Sequence, residues 1–193
     1  MRGIYKMINA VGREIPEEVL KATGKEAFKG AYAYDNHEYK KAAPKAHAMM
    51  DPNRSKIVEN IHEALVKCEI KDGMTISFHH HFREGDYVVN MVMDEIHKMG
   101  IKGITICASS LGKANDAIVP YIEDGTIVGI QSSGVRGKIG EAISAGKLKN
   151  LAVMCSHGGR VRAIESGEVH IDIAFIGAPT CDEYGNLRAN GGK

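Results

Sequence analysis

EDGTIVGIQ (residues 123–131), SAGKLKNLAVMC (144–155) and ESGEVHIDIAFIG (165–177) decide the fold of this chain. Each joins a helix-like stretch to a β-rich run through one glycine, and Gly125, Gly146 and Gly167 recur every 21 residues. Glycine suits the left-handed position just past a helix end. The period lies in the range of leucine-rich repeats, but their leucine and asparagine ladder is absent. Short helices alternating with apolar strands instead predict repeated βαβ units. The fold class is therefore α/β, an open and mainly parallel sheet flanked by helices. LAVMC and IDIAFIG are apolar almost throughout, as expected of strands covered on both faces.

The same grammar extends upstream. ITICAS (104–109) is a strand, and Pro120 should kink or end the helical stretch after it. YVVNMVMDEIHKMG (87–100) reads as a helix opened by Asp86, with Val89, Met93 and Ile96 on one face and Gly100 as its stop. Met91, Met93 and Met99 read as core filler. Thr75–Phe78 is a strand after the Asp72-Gly73 turn. An earlier helix is expected from Asp51-Pro52, with Ile57, Ile61, Leu65 and Cys68 on its apolar face. Strands should begin at or contain Thr75, Ile104, Thr126, Leu151 and Ile171. Residues 1–50 differ: rich in Lys, Ala and Tyr, they look helical only over Ile15–Thr23, with Pro16 as first helical residue. They read as an N-terminal extended arm whose lysines (Lys25, Lys29, Lys40, Lys41, Lys45) are solvated, and residues 51–193 read as the α/β domain.

With 193 residues, 44% of them hydrophobic, and a net charge of +1, the chain is about one domain and carries no electrostatic footprint for nucleic acid. No run reaches the roughly 18 apolar residues of a membrane span, and no signal peptide is evident. Cys68, Cys107, Cys155 and Cys181 stand singly, without zinc or disulfide spacing. A reducing cytoplasm fits them, and buried thiols are commoner than catalytic ones.

In a parallel sheet the loops after the strands converge on one edge, where ligands bind. Those loops carry His79, His80, His81, Arg83 and Gly85 after the first core strand, and Ser109 and Ser110 after the second. Gln131, Ser132 and Gly134 follow the third, with Arg136 and Lys138 close behind, and His157, Gly158, Gly159 and Arg160 follow the fourth. Arginine forks match carboxylates in pairs of bonds, and glycines let backbone approach a ligand. Each group also has a plainer reading. The histidines could be solvated, the arginines could pair with Glu84 or Glu165, and the glycines could serve a tight turn. Three consecutive histidines alone do not make a metal site, and none is expected. Asp182 and Asn186 should shape their own turn.

Four segments carry a resemblance: SFHHHFREGDYVVNMVMDEI (77–96), ASSLGKAND (108–116), QSSGVRGKIGEAISAGKL (131–148) and SHGGRVRAIESGEVHIDIAFIGAPTCDEYGN (156–186). Together they resemble the citrate lyase alpha subunit family, relatives of the family I coenzyme A transferases. The resemblance implies the α/β layer shared with sugar-phosphate isomerases. It also implies exchange of acetyl for citryl on the thioester of an acyl carrier protein, in citrate fermentation and acetyl-CoA metabolism. Implied partners are a beta subunit that cleaves the citryl thioester, the acyl carrier (gamma) subunit, citrate and an acetyl thioester, in an oligomeric cytoplasmic complex. No permanently bound cofactor is implied; coenzyme A, or the phosphoribosyl-dephospho-coenzyme A arm of the carrier, is the acyl donor. Family relatives use a nucleophilic glutamate in a second α/β half. No glutamate here stands in that motif, so the chain is expected to be an N-terminal half, inactive by itself. Two other readings remain: a sugar-phosphate-binding domain on the same fold, and a non-catalytic docking half of the complex.

Overall fold

Between each helix and the strand that follows, the backbone turns through one left-handed residue. Gly100, Gly125, Gly146 and Gly167 all have φ between 72° and 78°. After the helix ending at Ser144, the amides of Gly146 and Lys147 donate back to the carbonyls of Ile143 and Ala142. This paired bond satisfies the helix's last carbonyls and aims the chain back along the sheet. The computed structural model describes residues 6–30, 33, 55–79 and 87–188. It divides into two units, Met1–Lys40 and Lys41–Lys193. The boundary expected at residues 50/51 lies outside the described residues.

In the first unit, strands β1 (Lys6–Ile8) and β2 (Glu14–Pro16) form an antiparallel hairpin, and helix α1 (Glu17–Thr23) follows. An extended arm is thus corrected over residues 6–30. The Asn9 side chain accepts from the amides of Val11 and Arg13, closing the turn that pairs the strands. Pro16 stands before the helix, with ψ at 133°, and not as its first residue.

The second unit contains five parallel strands: β3 (Thr75–His79), β4 (Ile104–Ala108), β5 (Ile127–Ser132), β6 (Ala152–Met154) and β7 (Ile173–Ile176). Their order is β6-β5-β4-β3-β7, so the α/β class holds. Helices α2 (Ile61–Lys67), α3 (Val88–Lys98), α4 (Val119–Glu123), α5 (Gly137–Ser144) and α6 (His157–Glu165) lie between strands. A hairpin of β8 (Thr180–Cys181) and β9 (Leu187–Arg188) comes last. One face of the sheet holds the core: Ile76, Phe78, Ile106 and Ile130 pack with Leu65, Val92, Met93, Ile96, Ile118, Ile122 and Ile139.

Several expectations need correction. The helix expected from Asp51-Pro52, which lies outside the described residues, begins at Ile61. Asn60 accepts from the Glu63 amide while Glu63 accepts from the Glu59 amide, so the cap fixes the start and Ile57 stays 62% exposed. Asp86 also lies outside the described residues, and α3 starts at Val88. Met91 is exposed beside Asn90 and Asp94, whereas Met93 is fully buried. Pro120 sits in the first turn of α4 after a 3-10 turn at Lys113–Ile118, so it opens a helix and does not end one. β6 and β7 are not covered on both faces among the described residues: Val153 and Ile176, in register with Gln131 and His79 on the face opposite the core, are exposed, as is Leu151 just before β6.

Candidate functional site

All neighbouring strands of the sheet are parallel, so their carboxyl ends share one edge. The chain runs outward from β3 through β4 and β5 to β6, then returns to place β7 on the other side of β3. Such a reversal opens a crevice where α/β sheets bind ligands. His79 ends β3 at that point, exposed and in register with Ile176 of β7. The rest of its loop, with His80, His81, Arg83 and Gly85, lies outside the described residues.

The other tips are brought together. The Ser109 amide donates to the Phe78 carbonyl at 3.3 Å, and the Ser109 carbonyl accepts from the Ser133 amide at 3.3 Å. The Ser133 hydroxyl donates to that same carbonyl, and its oxygen lies 3.3 Å from Nε2 of His157. The Cys155 amide donates to the Ser132 carbonyl, which brings the start of α6 up against the β5 tip. Ser109, Ser133 and His157 thus form one continuous row beside the crevice. Ser110 is half-buried next to it.

Strand alternation sorts the remaining candidates. Ser132 points with Ile130 towards the core; it is fully buried, and its hydroxyl donates to the Gly134 carbonyl 3.0 Å away. That carbonyl also accepts from the Leu111 amide, so Gly134 joins the two loops. Gln131 lies on the opposite face, in register with Ser77, Cys107 and Val153. On that face Nη2 of Arg160 donates to Ser77 Oγ at 2.7 Å and to the Cys107 carbonyl at 3.1 Å, while Nε points at Cys107 Sγ. One side of the arginine fork is therefore spent holding α6 on the sheet, and Nη1 has no hydrogen-bond partner among the described residues. Gly159 donates its amide to Ser156 Oγ, and a Cβ there would meet that oxygen at 3.1 Å, so the helix cap explains this glycine. Gly158 is open, with nothing near its missing side chain.

Two carboxylates of the described residues near this edge have structural partners. Asp116 accepts from the Lys138 amide and so caps α5. Asp182 accepts from the Asn186 side chain and from the amides of Asn186 and Tyr184, and these bonds hold its carboxyl below the ordinary range, the Asn186 side chain most. Among the described residues no three His, Cys, Asp or Glu side chains converge as metal ligands. No helix there is long and apolar enough to cross a membrane. A cavity of about 690 Å³ belongs to the first unit, lined by Met7, Ile8, Leu20, Ala27 and Phe28. Sequence reasoning passed over Ser133, Ser77 and Cys107. A strict period of two along each strand could have separated Ser133 from Ser132.

Comparison with known proteins adds a family. Residues 54–193 match the family described as citrate lyase, alpha subunit (CitF). The chain is 48% identical over 138 residues to the citrate lyase alpha chain of Escherichia coli (strain K12), an alignment covering 72% of this chain and 27% of that protein. With the Haemophilus influenzae alpha chain the identity is 44% over 163 residues, covering 84% and 32%. A crystal structure described as a citrate lyase alpha subunit from Streptococcus mutans, in complex with citrate, superposes with a TM-score of 0.79 at 47% identity. That superposition covers 93% of this chain and 34% of the other. The chain thus spans about a third of the length of these relatives.

Proposed function

The chain belongs to the citrate lyase alpha subunit family, and from that premise we propose that it holds citrate at the carboxyl edge of its sheet while acetyl is exchanged for citryl on a carrier thioester. The row Ser109–Ser133–His157 beside the reversal at β3 carries this reading, since it gathers the tips of three consecutive strands at one crevice. The relative solved with citrate supports the ligand. His79, His80, His81 and Arg83 complete the citrate side, and Arg160 contributes through Nη1. The acyl donor is coenzyme A or the carrier's phosphoribosyl-dephospho-coenzyme A arm. The partners are the beta subunit and the acyl carrier subunit, in a reducing cytoplasm that suits four free cysteines.

The nucleophile belongs to the part of the family's chain outside this span, because no glutamate here stands in the family's nucleophile motif. Residues 1–193 alone therefore form no acyl-enzyme. Incubation with acetyl-coenzyme A and citrate, followed by hydroxylamine or borohydride trapping, is expected to give no adduct. A stoichiometric glutamyl adduct would overturn this. In an alpha chain of the relatives' full length carrying this sequence, Arg83→Ala should weaken citrate use by about thirtyfold, a loss on the order of 2 kcal/mol for one charge-assisted contact. Use of the thioester donor should change far less. Equal losses for both substrates would remove Arg83 from the citrate site.

A further inference from the structure

Citrate differs from a plain tricarboxylate by one hydroxyl, and the row at the sheet edge contains a group suited to it. Ser133 has a single hydroxyl proton, and that proton is committed to the Ser109 carbonyl. Towards His157 its oxygen can only accept, so the ring nitrogen 3.3 Å away, Nε2, carries the hydrogen. In the neutral ring this leaves Nδ1 as an acceptor, with no partner among the described residues. A serine that fixes one nitrogen of a histidine defines what the other can do. No carboxylate among the described residues lies within ion-pair distance of this ring, unlike those of His62, His97 and His170. His157 is exposed at the start of α6, on the edge where the strand tips gather.

We propose that Ser133, acting through His157, lets this site distinguish a hydroxy-tricarboxylate from its hydroxyl-free analogue, with Nδ1 of His157 accepting from the substrate hydroxyl. The proposal rests on the citrate reading above. Ser133 is a positioning residue here, and His157 is the residue that meets the ligand. A site that bonds a substrate hydroxyl rejects the analogue lacking it, because its own polar group is then left unpaired.

The test is calorimetric titration of an alpha chain of the relatives' full length carrying this sequence, with citrate and with propane-1,2,3-tricarboxylate. Wild type should bind citrate at least about tenfold more tightly. Ser133→Ala should narrow that ratio by about fivefold, through loss of citrate affinity with the analogue's affinity unchanged; a removed hydrogen bond is typically of this size. His157→Ala should abolish the preference. Ser133→Ala leaves the Ser133 amide bond to Ser109 in place, so the loop keeps its backbone tie. Equal binding of both ligands by wild type, or a ratio unmoved in both variants, would overturn the inference while the citrate reading stands. A parallel loss for both ligands would assign His157 to a carboxylate and overturn it too. Binding of neither ligand would remove the citrate reading, and this inference with it.

Discussion

The two edges of the sheet are built from different chemistry. At the amino edge, carboxylates meet the starts of the strands. Asp72 accepts from the Lys102 amide, Asp172 from the Thr75 amide and Asp124 from the Thr126 amide, each at 2.8 Å. Lys102 and His97 converge on Asp124, and Lys147 pairs with Glu123. At the carboxyl edge, among the described residues, the contacts include hydroxyl to carbonyl and imidazole to hydroxyl, while Asp116 caps α5 and Asp182 shapes its own turn. Among the described residues, ion pairs and carboxylate-to-amide bonds gather at the amino edge and neutral bonds between strand tips at the carboxyl edge. The closed edge holds the strands in register, and the open edge can still exchange its contacts with a ligand.

The comparison assumes a common core between the edges, and breaking that core gives the largest expected effect. Ile106 lies in the middle of the sheet and is fully buried. Ile106→Ala should cost about 3 kcal/mol in denaturant unfolding, the usual sum of lost transfer energy and cavity. Arg160 comes next, because its bonds to Ser77 and Cys107 tie α6 to the sheet face opposite the core. Arg160→Ala should cost about 2 kcal/mol, since hydrogen bonds from a charged donor are stronger than neutral ones. Arg160→Lys should recover little, because one ammonium cannot reproduce a planar fork that reaches Ser77 and Cys107 together. Full recovery with lysine would mean that the fork geometry is irrelevant.

At the amino edge, Asp124→Asn should cost about 1 kcal/mol near neutral pH, a modest figure because the carboxylate is about a third exposed. Burial by itself would raise the Asp124 carboxyl. The Lys102 hydrogen bond, the Thr126 amide and hydroxyl, and the Lys102 charge outweigh it and hold the pKa at about 2, against an ordinary 3.8. A carboxyl depressed in the folded state contributes stability above its unfolded pKa and loses it as pH falls through the folded one. The gap between wild type and Asp124→Asn should therefore be full above about pH 4 and shrink towards pH 2. Urea unfolding at a series of pH values reads this directly, and a gap independent of pH would remove Asp124 from the account.

The five core strands were legible because each is an apolar run bounded by a glycine or an Asp-Gly turn, and their parallel arrangement followed from the helices between them. Boundaries were less legible. Ile57 fits the four-residue spacing of α2, yet the Asn60 cap starts the helix later, and Pro120 reads equally as a breaker or as a first-turn residue. The site was legible as an edge but not in its contacts. The position of Arg160 just past a strand was legible, but not that Ser77 and Cys107 lie beneath it. Adjacent Ser132 and Ser133 continue opposite faces of β5, which alternation along the strand separates, but the contacts of Ser133 with Ser109 and His157 depend on neighbouring strands that no single strand reveals.

The amino edge has one exception to its economy. Four of its helix-to-strand turns place glycine in the left-handed position, but after α2 that position is Glu69, with φ at 52°. Its amide and that of Ile70 close the same paired bond onto Val66 and Leu65. Glu69→Gly should raise stability by about 0.5–1 kcal/mol, the relief of a side chain held in this region less glycine's greater chain entropy. A thermal melt that falls would show that the Glu69 side chain contributes something the turn geometry does not.

The smallest expected effect sharpens the comparison most. Arg136 begins α5 at the carboxyl edge and is exposed, and its side chain has no ion-pair partner among the described residues. Its amide, which donates to the Leu111 carbonyl at 3.0 Å, would survive truncation of the side chain. Arg136→Ala should therefore change unfolding free energy by less than about 0.5 kcal/mol, as for surface positions without a specific contact. Asp124→Asn, an exchange of similar exposure at the other edge, should exceed it at neutral pH. If Arg136→Ala destabilised the chain as much as Asp124→Asn, charge would be supporting the fold at both edges. The carboxyl edge could then no longer be read as the one kept open for a ligand.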